Sequence, residues 1–415
     1  MHEGRALSPA CVVFQGQATS ENINLRSARS VIGFHWIDPT DKSSGARLQS
    51  KDQAMADPRK ILIIQLRRIG DVLLCTPAVK ALRTRFPKSY IAFLVERESA
   101  DILALNPYLD EVIVLDRRRY RNPLYSLKQI WQIRKRGFDL VIDFLGNPRT
   151  AYISFLSGAG RRIGYDVPGR RYYYNLLIKN DGMPKYSALH KLQAMNILGL
   201  NATDRKPDFF ISDEARLFSR RCFQRAGVDP GKLIISLSPT SRRHFRRWRL
   251  ERFARLADWL ISRFQATVIL VWGPGERGVV EKIEGLMKRK PVVSPETRNL
   301  FQLGAILERC DLHIGNDNGT KHIAVAMEKP TITIFGPQDP VNWTYPEPSR
   351  HKFLKKKVDC PDCDRIKHKC RELSCLDEIT VEDVQNVFFQ LLKELEKGKE
   401  RELVEKIERL AVDQR

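Results

Sequence analysis

The sequence predicts an α/β protein made of two successive doubly wound units, and two observations carry that expectation. From Lys60 onward, short apolar runs alternate with amphipathic stretches. The alternation lapses near Asn201–Pro207 and then restarts with the same rhythm. Short apolar strands separated by helical crossovers are the mark of a parallel sheet covered on both faces.

Residues 1–57 precede this pattern. They are polar, lack periodicity and end in "SSGARLQSKDQAMADPR". They are expected to be a disordered arm, or to lie upstream of a true translation start at Met55. The first unit, residues 58–205, opens with "ILIIQL" as a strand and residues 71–86 as a helix. "YIAFLV" follows as a strand, "SADILALN" as a helix and "EVIVLD" as a strand. "LYSLKQIWQIRKRG" reads as a helix, "DLVIDFL" as a strand and Tyr186 to Leu200 as a further helix. The second unit, residues 206–380, runs through the strand "KLIISLSP", the helix "RLERFARLADWLISRF" and the strand "ATVILVWG". Two helices, "GVVEKIEGLMKR" and "NLFQLGAILERC", come next. The strand "DLHIGND" leads into the helix "GTKHIAVAM", and "PTITIFGP" closes the series. A charge-laced amphipathic helix from about Val381 fills residues 381–415.

The 415 residues contain 71 Lys and Arg against 49 Asp and Glu, a net charge of +22. That excess calls for an acidic partner: nucleic acid, an anionic membrane or a phosphorylated substrate. No apolar run approaches the roughly 20 residues that span a bilayer. Residues 1–30 lack the apolar core of a secretory leader, so a cytoplasmic location is expected. Eight cysteines in a chain of this length do not suggest a disulfide scaffold, and reduced thiols are expected.

Ligands of open parallel sheets bind beyond the carboxyl ends of the strands, and four segments lie there. Gly70-Asp71 follows the first strand, where glycine suits a tight turn and the carboxylate suits a helix cap. Ser238-Pro239-Thr240-Ser241 precedes "RRHFRRWR". Its hydroxyls and arginines suit phosphate oxygens, and a loop of that charge equally suits nucleic acid. In "WGPGE", Glu276 stands where a carboxylate would accept from ribose hydroxyls. In "GNDNGTKHIAVAM", a turn opens a helix whose N–H groups at Gly319, Thr320 and Lys321 would hold a diphosphate. Asp317 there would face a sugar, and His322, one turn into the helix, reads as a structural histidine.

These four segments together resemble glycosyltransferase family 9, the ADP-heptose:lipopolysaccharide heptosyltransferases. The likeness is carried by "RRIGDVLLCTPAVKALRTRFP", by Arg246-Arg247-Trp248 before "LERFARLADWL", and by "DNGTKHIAVAMEKPTITIFGP". "GRRIGYD" with the downstream His190 adds to it, and the match covers roughly residues 58–390. The resemblance implies a GT-B fold, two Rossmann-like domains facing a central cleft. It implies inverting transfer without a catalytic metal or cofactor, with Asp71 as the base. Thr240, Ser241 and Arg246 would bind the donor diphosphate, Glu276 its ribose and Asp317 its sugar, with Gly319, Thr320 and Lys321 beside the phosphates. The donor would be ADP-heptose or a related nucleotide sugar.

The acceptor would be the phosphorylated, acidic lipopolysaccharide core on lipid A, met by Arg67, Arg68, Arg118 and Arg121. Arg117–Arg119, Arg134–Arg136, Arg161, Arg162, Arg170 and Arg171 share that half. Tyr172–Tyr174 would sit at a lipid interface or pack on the domain. The same charge implies peripheral attachment to the anionic cytoplasmic face of the inner membrane. Arg246 stands where the family has lysine, and the two are not interchangeable. Lys321 adds a further cation.

Cys360, Cys363, Cys370 and Cys375 are spaced C-x2-C-x6-C-x4-C, open to a structural zinc or to reduced thiols near the donor. Asp362 and Asp364 form a D-x-D that does not follow a strand and is set aside as a metal–nucleotide motif. A nucleotide-sugar epimerase would keep the fold but lacks these ordered motifs. A nucleic-acid-binding protein is the reading from another class, and no recognition motif of that kind appears in the sequence.

Overall fold

A computed structural model describes residues 56–179, 182–358, 373–398 and 401–410. Within residues 57–415 the chain forms two parallel six-stranded sheets. The expectations on residues 1–55, Cys360, Cys363 and Cys370 lie outside the described residues.

In the first half, strands β1 (Lys60–Ile64), β2 (Tyr90–Glu96), β3 (Glu111–Leu115), β4 (Leu140–Asp143), β5 (Arg161–Tyr165) and β6 (Leu176–Ile178) lie in the order 3-2-1-4-5-6. The second half holds β7 (Ile234–Ser238), β8 (Thr267–Leu270), β9 (Val292–Val293), β10 (Leu312–Asn316), β11 (Thr331–Ile334) and β12 (His351–Leu354), in the order 12-11-10-7-8-9. Numbered within its own half, the second sheet has the same order as the first, and both have the doubly wound arrangement. The central strands are buried on both faces: Ile61 to Ile64 and Ile91 to Val95 have no accessible surface. This is why they read as continuous apolar runs rather than alternating ones.

Helices α1 (Ile69–Leu73), α2 (Thr76–Arg85), α3 (Asp101–Ala104), α4 (Pro123–Lys135), α5 (Pro148–Leu156) and α6 (Ser187–Ile197) belong to the first half. Then come α7 (Asp213–Arg225), α8 (Leu250–Phe264), α9 (Arg277–Leu286), α10 (Leu300–Glu308), α11 (Gly319–Ala326) and α12 (Pro340–Trp343). The last three are α13 (Ser374–Asp377), α14 (Val381–Glu396) and α15 (Arg401–Leu410). No helix among the described residues is long and apolar enough to cross a membrane.

Several elements differ from expectation. The helix expected over residues 71–86 is two pieces, because Pro77 has no N–H for the Leu73 carbonyl. The Thr76 hydroxyl donates to that carbonyl instead, at 2.7 Å. "SADILALN" forms only the single turn of α3, and a 3-10 turn, Arg97–Ser99, ends at its first residue. α5, β5, β6, α7 and β9 were not anticipated, and β11 does not close the second sheet. β12 pairs beyond it, Thr331 opposite His351. Its sequence, "HKFL", opens with two polar residues and leaves Phe353 exposed, so it does not read as a buried apolar run. At the other end, α14 and α15 bury Phe388, Leu391, Leu395, Val404 and Ile407 in the core of the second half.

Candidate active site

Asp71 lies in the first turn of α1, beyond the carboxyl end of β1. One of its oxygens accepts from the Arg68 N–H at 3.3 Å, a long bond for a cap. The side chain therefore caps weakly and also lines a cavity of about 490 Å³. Arg67, Arg68, Gln65 and Tyr165 line the same cavity, as do Ser187, His190 and Lys191 from the start of α6. Burial pushes the Asp71 carboxyl above the ordinary carboxylate range. Lys191 and Arg246 pull it back down, and Asp317 adds to the rise. Arg246 and Asp317 belong to the second half, so charges from both halves bear on Asp71.

The halves meet closely here. A Cβ on Gly70 would lie 2.7 Å from the His322 ring, and one on Gly319 would lie 3.2 Å from Ile69. Glycine at position 70 is thus required by the approach of α11 to α1, rather than by the tight turn expected of it. His322 is buried, and burial holds its imidazole neutral with a pKa lowered to about 3.

Across the cleft, Asp317 follows β10 and is 3% exposed. Lys321 Nζ lies 2.6 Å from its Oδ1, and Arg246 Nη1 donates to its Oδ2 at 3.0 Å. Burial alone would raise the Asp317 pKa, but these two cations bring it below the usual value. Lys321 is itself 3% exposed, with its ammonium 4.3 Å from the centre of the Phe335 ring. It was expected beside the phosphates, and its ammonium is paired with Asp317. Its backbone N–H donates to Asn318 Oδ1, the cap of α11, which removes that donor from the set expected for a diphosphate.

Thr240 and Ser241 are buried after β7, and Asn318 Nδ2 donates to the Thr240 carbonyl at 2.9 Å. The indole of Trp248 donates to the Ile379 carbonyl and its backbone N–H to Asn316 Oδ1, which anchors the arginine loop. In that loop burial lowers the Arg242 pKa first, and Arg243, Arg67 from the first half and Arg246 lower it further. Cations gathered from two domains repel one another, and an anion between them would relieve the cost. Glu276 stands just before α9, and its side chain makes no cap bond but accepts from the Gly273 N–H of the preceding turn at 3.0 Å.

The structure therefore gathers Asp71, Arg67 and Arg68 in one cavity and brings Arg246 and Asp317 within electrostatic reach. Arg118 and Arg121 stand apart from that cavity, exposed on a 3-10 turn, Arg117–Arg121, after β3. Tyr174 is buried, its hydroxyl donating to Asp143, whereas Tyr172 is 80% exposed. Cys375 is buried in α13. Lys191 was missed. It had a signal: in "ALHKLQAM" it falls on the same helix face as Ala188 and Met195, where lysine is out of place.

A family model described as glycosyltransferase family 9 (heptosyltransferase) matches residues 126–374, more than half of the chain. The chain belongs to glycosyltransferase family 9. The enzyme is 26% identical over 298 residues to lipopolysaccharide heptosyltransferase 3 of Escherichia coli K12, covering 67% of this chain and 83% of that one. It is 23% identical over 345 residues to the lipopolysaccharide core heptosyltransferase OpsX of Haemophilus influenzae, covering 79% and 95%. Among solved structures, a family 9 glycosyl transferase from Veillonella parvula superposes with a TM-score of 0.70 at 24% identity, covering 81% and 97%. The E. coli heptosyltransferase WaaC with ADP does so at 0.61 and 19%, covering 81% and 98%. The transferase has the GT-B fold of these proteins. Asp71 lies upstream of the segment matched by the family model, so its role has to be argued from its surroundings.

Proposed function

We propose that this glycosyltransferase moves a heptose from ADP-heptose to the lipopolysaccharide inner core, with inversion, Asp71 acting as the base. One observation carries the reading: a buried carboxylate of raised pKa lines a cation-rich cavity in the first half, within reach of Arg246 and Asp317 of the second. The relatives named for lipopolysaccharide heptose transfer support the substrates.

In this scheme the acceptor lies on the first-half side, against Arg67 and Arg68. Its hydroxyl gives a proton to Asp71 as the oxygen attacks the anomeric carbon from the face opposite ADP. The bond from that carbon to the β-phosphate oxygen breaks, and ADP departs with the electron pair. Arg246, the Thr240 and Ser241 hydroxyls and the N–H groups of Gly319 and Thr320 take up the charge. Arg246 would leave Asp317 to do so, while Lys321 stays behind as the buried counter-charge that lets it go. Glu276 would hold the adenosine ribose and Asp317 the heptose hydroxyls. The acceptor is lipid-anchored, so the enzyme would work at the cytoplasmic face of the inner membrane.

The test is a transfer assay with ADP-heptose and a Kdo-bearing, heptose-free lipid A, followed by mass spectrometry. A heptosylated product is expected. No product with this acceptor or with already heptosylated cores would overturn the reading.

A further inference from the structure

Helix α4 has two apolar faces. Ile130 and Ile133 point inward to the core beneath the first sheet. Leu124, Leu127 and Trp131 are 73%, 60% and 54% exposed. At 3.6 residues per turn their spacing keeps them within a stripe about 60° wide. No other helix among the described residues carries three exposed large apolar side chains on one stripe. A stripe of this kind on a surface helix calls for an occupant.

The surrounding charge identifies it. Between residues 117 and 136 there are eight Lys or Arg and no Asp or Glu. At the same pitch Lys128 and Lys135 lie along one edge of the stripe and Arg134 along the other, and Lys135 Nζ lies 3.5 Å from the centre of the Trp131 ring. Leucines and a tryptophan bordered by cationic side chains are the composition of a helix lying in a bilayer interface. Tryptophan favours the headgroup level, and a cationic border favours anionic lipid. The position also suits the reaction. α4 follows β3, which runs parallel to β2 and β1, so its first turn lies at the same end of the sheet as Asp71.

We propose that the α4 stripe of Leu124, Leu127 and Trp131, with its lysine border, is the surface by which this transferase docks on an anionic lipid bilayer. This rests on the reading that the acceptor is held in a membrane, and it says which face meets that membrane.

The full chain is floated with vesicles of phosphatidylethanolamine and phosphatidylglycerol, and separately with phosphatidylcholine alone. Wild type should float with the anionic vesicles only, and high salt should weaken that binding. Leu124→Ser/Leu127→Ser/Trp131→Ser should lower the bound fraction at least about tenfold. Transfer to a deacylated, water-soluble acceptor should be unchanged. Lys128→Glu/Lys135→Glu leaves the apolar stripe in place and should also release the protein, which keeps the test alive if the triple variant misfolds. Undiminished flotation of both variants would overturn the proposal. So would a triple variant that floats normally but sediments as a smaller species, since a second copy would then be the occupant. Vesicle binding lost as expected in a protein that transfers no heptose to any acceptor would sink the transferase reading and leave the docking surface standing.

Discussion

Asp71 and Asp317 face the same cleft from opposite halves of the molecule, and burial acts on both in the same direction. Their pKa values nevertheless move in opposite directions. Asp317 is held by two close cations and lies below the usual carboxylate value, whereas Asp71 has cations near but not on it and lies above. Distance makes the difference, because a contact pair offsets desolvation where a more remote charge only moderates it. The same residue type is thus pinned as an anion on one side and left with proton affinity on the other. The second condition is what a base requires.

The largest effect expected from breaking this contrast is on rate. Asp71→Asn should lower kcat by about 10²–10⁴-fold, with ADP affinity by calorimetry nearly unchanged. It should also raise thermal stability at neutral pH. A carboxyl whose folded pKa is raised contributes stability that is present below its unfolded pKa and is lost as pH rises through the folded one. The variant's advantage should therefore vanish in acid. A loss of ADP affinity equal to the loss of rate would make Asp71 a donor-side residue instead.

Asp317 should behave the other way. Lys321→Met removes its buried partner and leaves the carboxylate to Arg246 alone. Removing one member of a buried pair costs about 3 kcal/mol, to be read by urea unfolding. With Arg246 then held as the remaining counter-charge, the KM for ADP-heptose should also rise. An unchanged KM would show that Arg246 does not exchange Asp317 for the diphosphate. The depressed pKa makes this pair's stability greatest above the unfolded carboxylate value, and it is lost as pH falls through the folded one.

What the sequence made legible follows from the same physics. Central strands such as "ILIIQL" and "YIAFLV" are buried on both faces, so their composition alone marks them. β5 and β12, at or near sheet edges, carry Arg161, Arg162 and Lys352 and do not stand out. The ligand-facing turns could be read because each follows a legible strand. The pairing of Lys321 with Asp317 could not, since an i,i+4 lysine on a helix is ordinarily solvated and only tertiary burial of both side chains makes it a fixed pair. Gly70 illustrates the same limit: its neighbour His322 is far along the chain, and no local pattern announces that contact.

Lys191 offers the smallest and most discriminating test. It is 4% exposed, donates to the Ser187 hydroxyl at 3.0 Å, and first among the nearby charges opposes the rise in the Asp71 pKa caused by burial. Lys191→Met keeps the length of the side chain and removes the charge. Activity at neutral pH should fall by less than about tenfold. The acidic limb of kcat/KM should move to higher pH, because Asp71 loses a cation that favours its ionised form. Lys191→Arg should restore the limb. If lysine here only fills the helix face, the rate would drop equally at every pH and the limb would stay where it was. A shifted limb that arginine restores would show that the first half tunes its carboxylate by a charge held at a distance, as the second half fixes its own by contact.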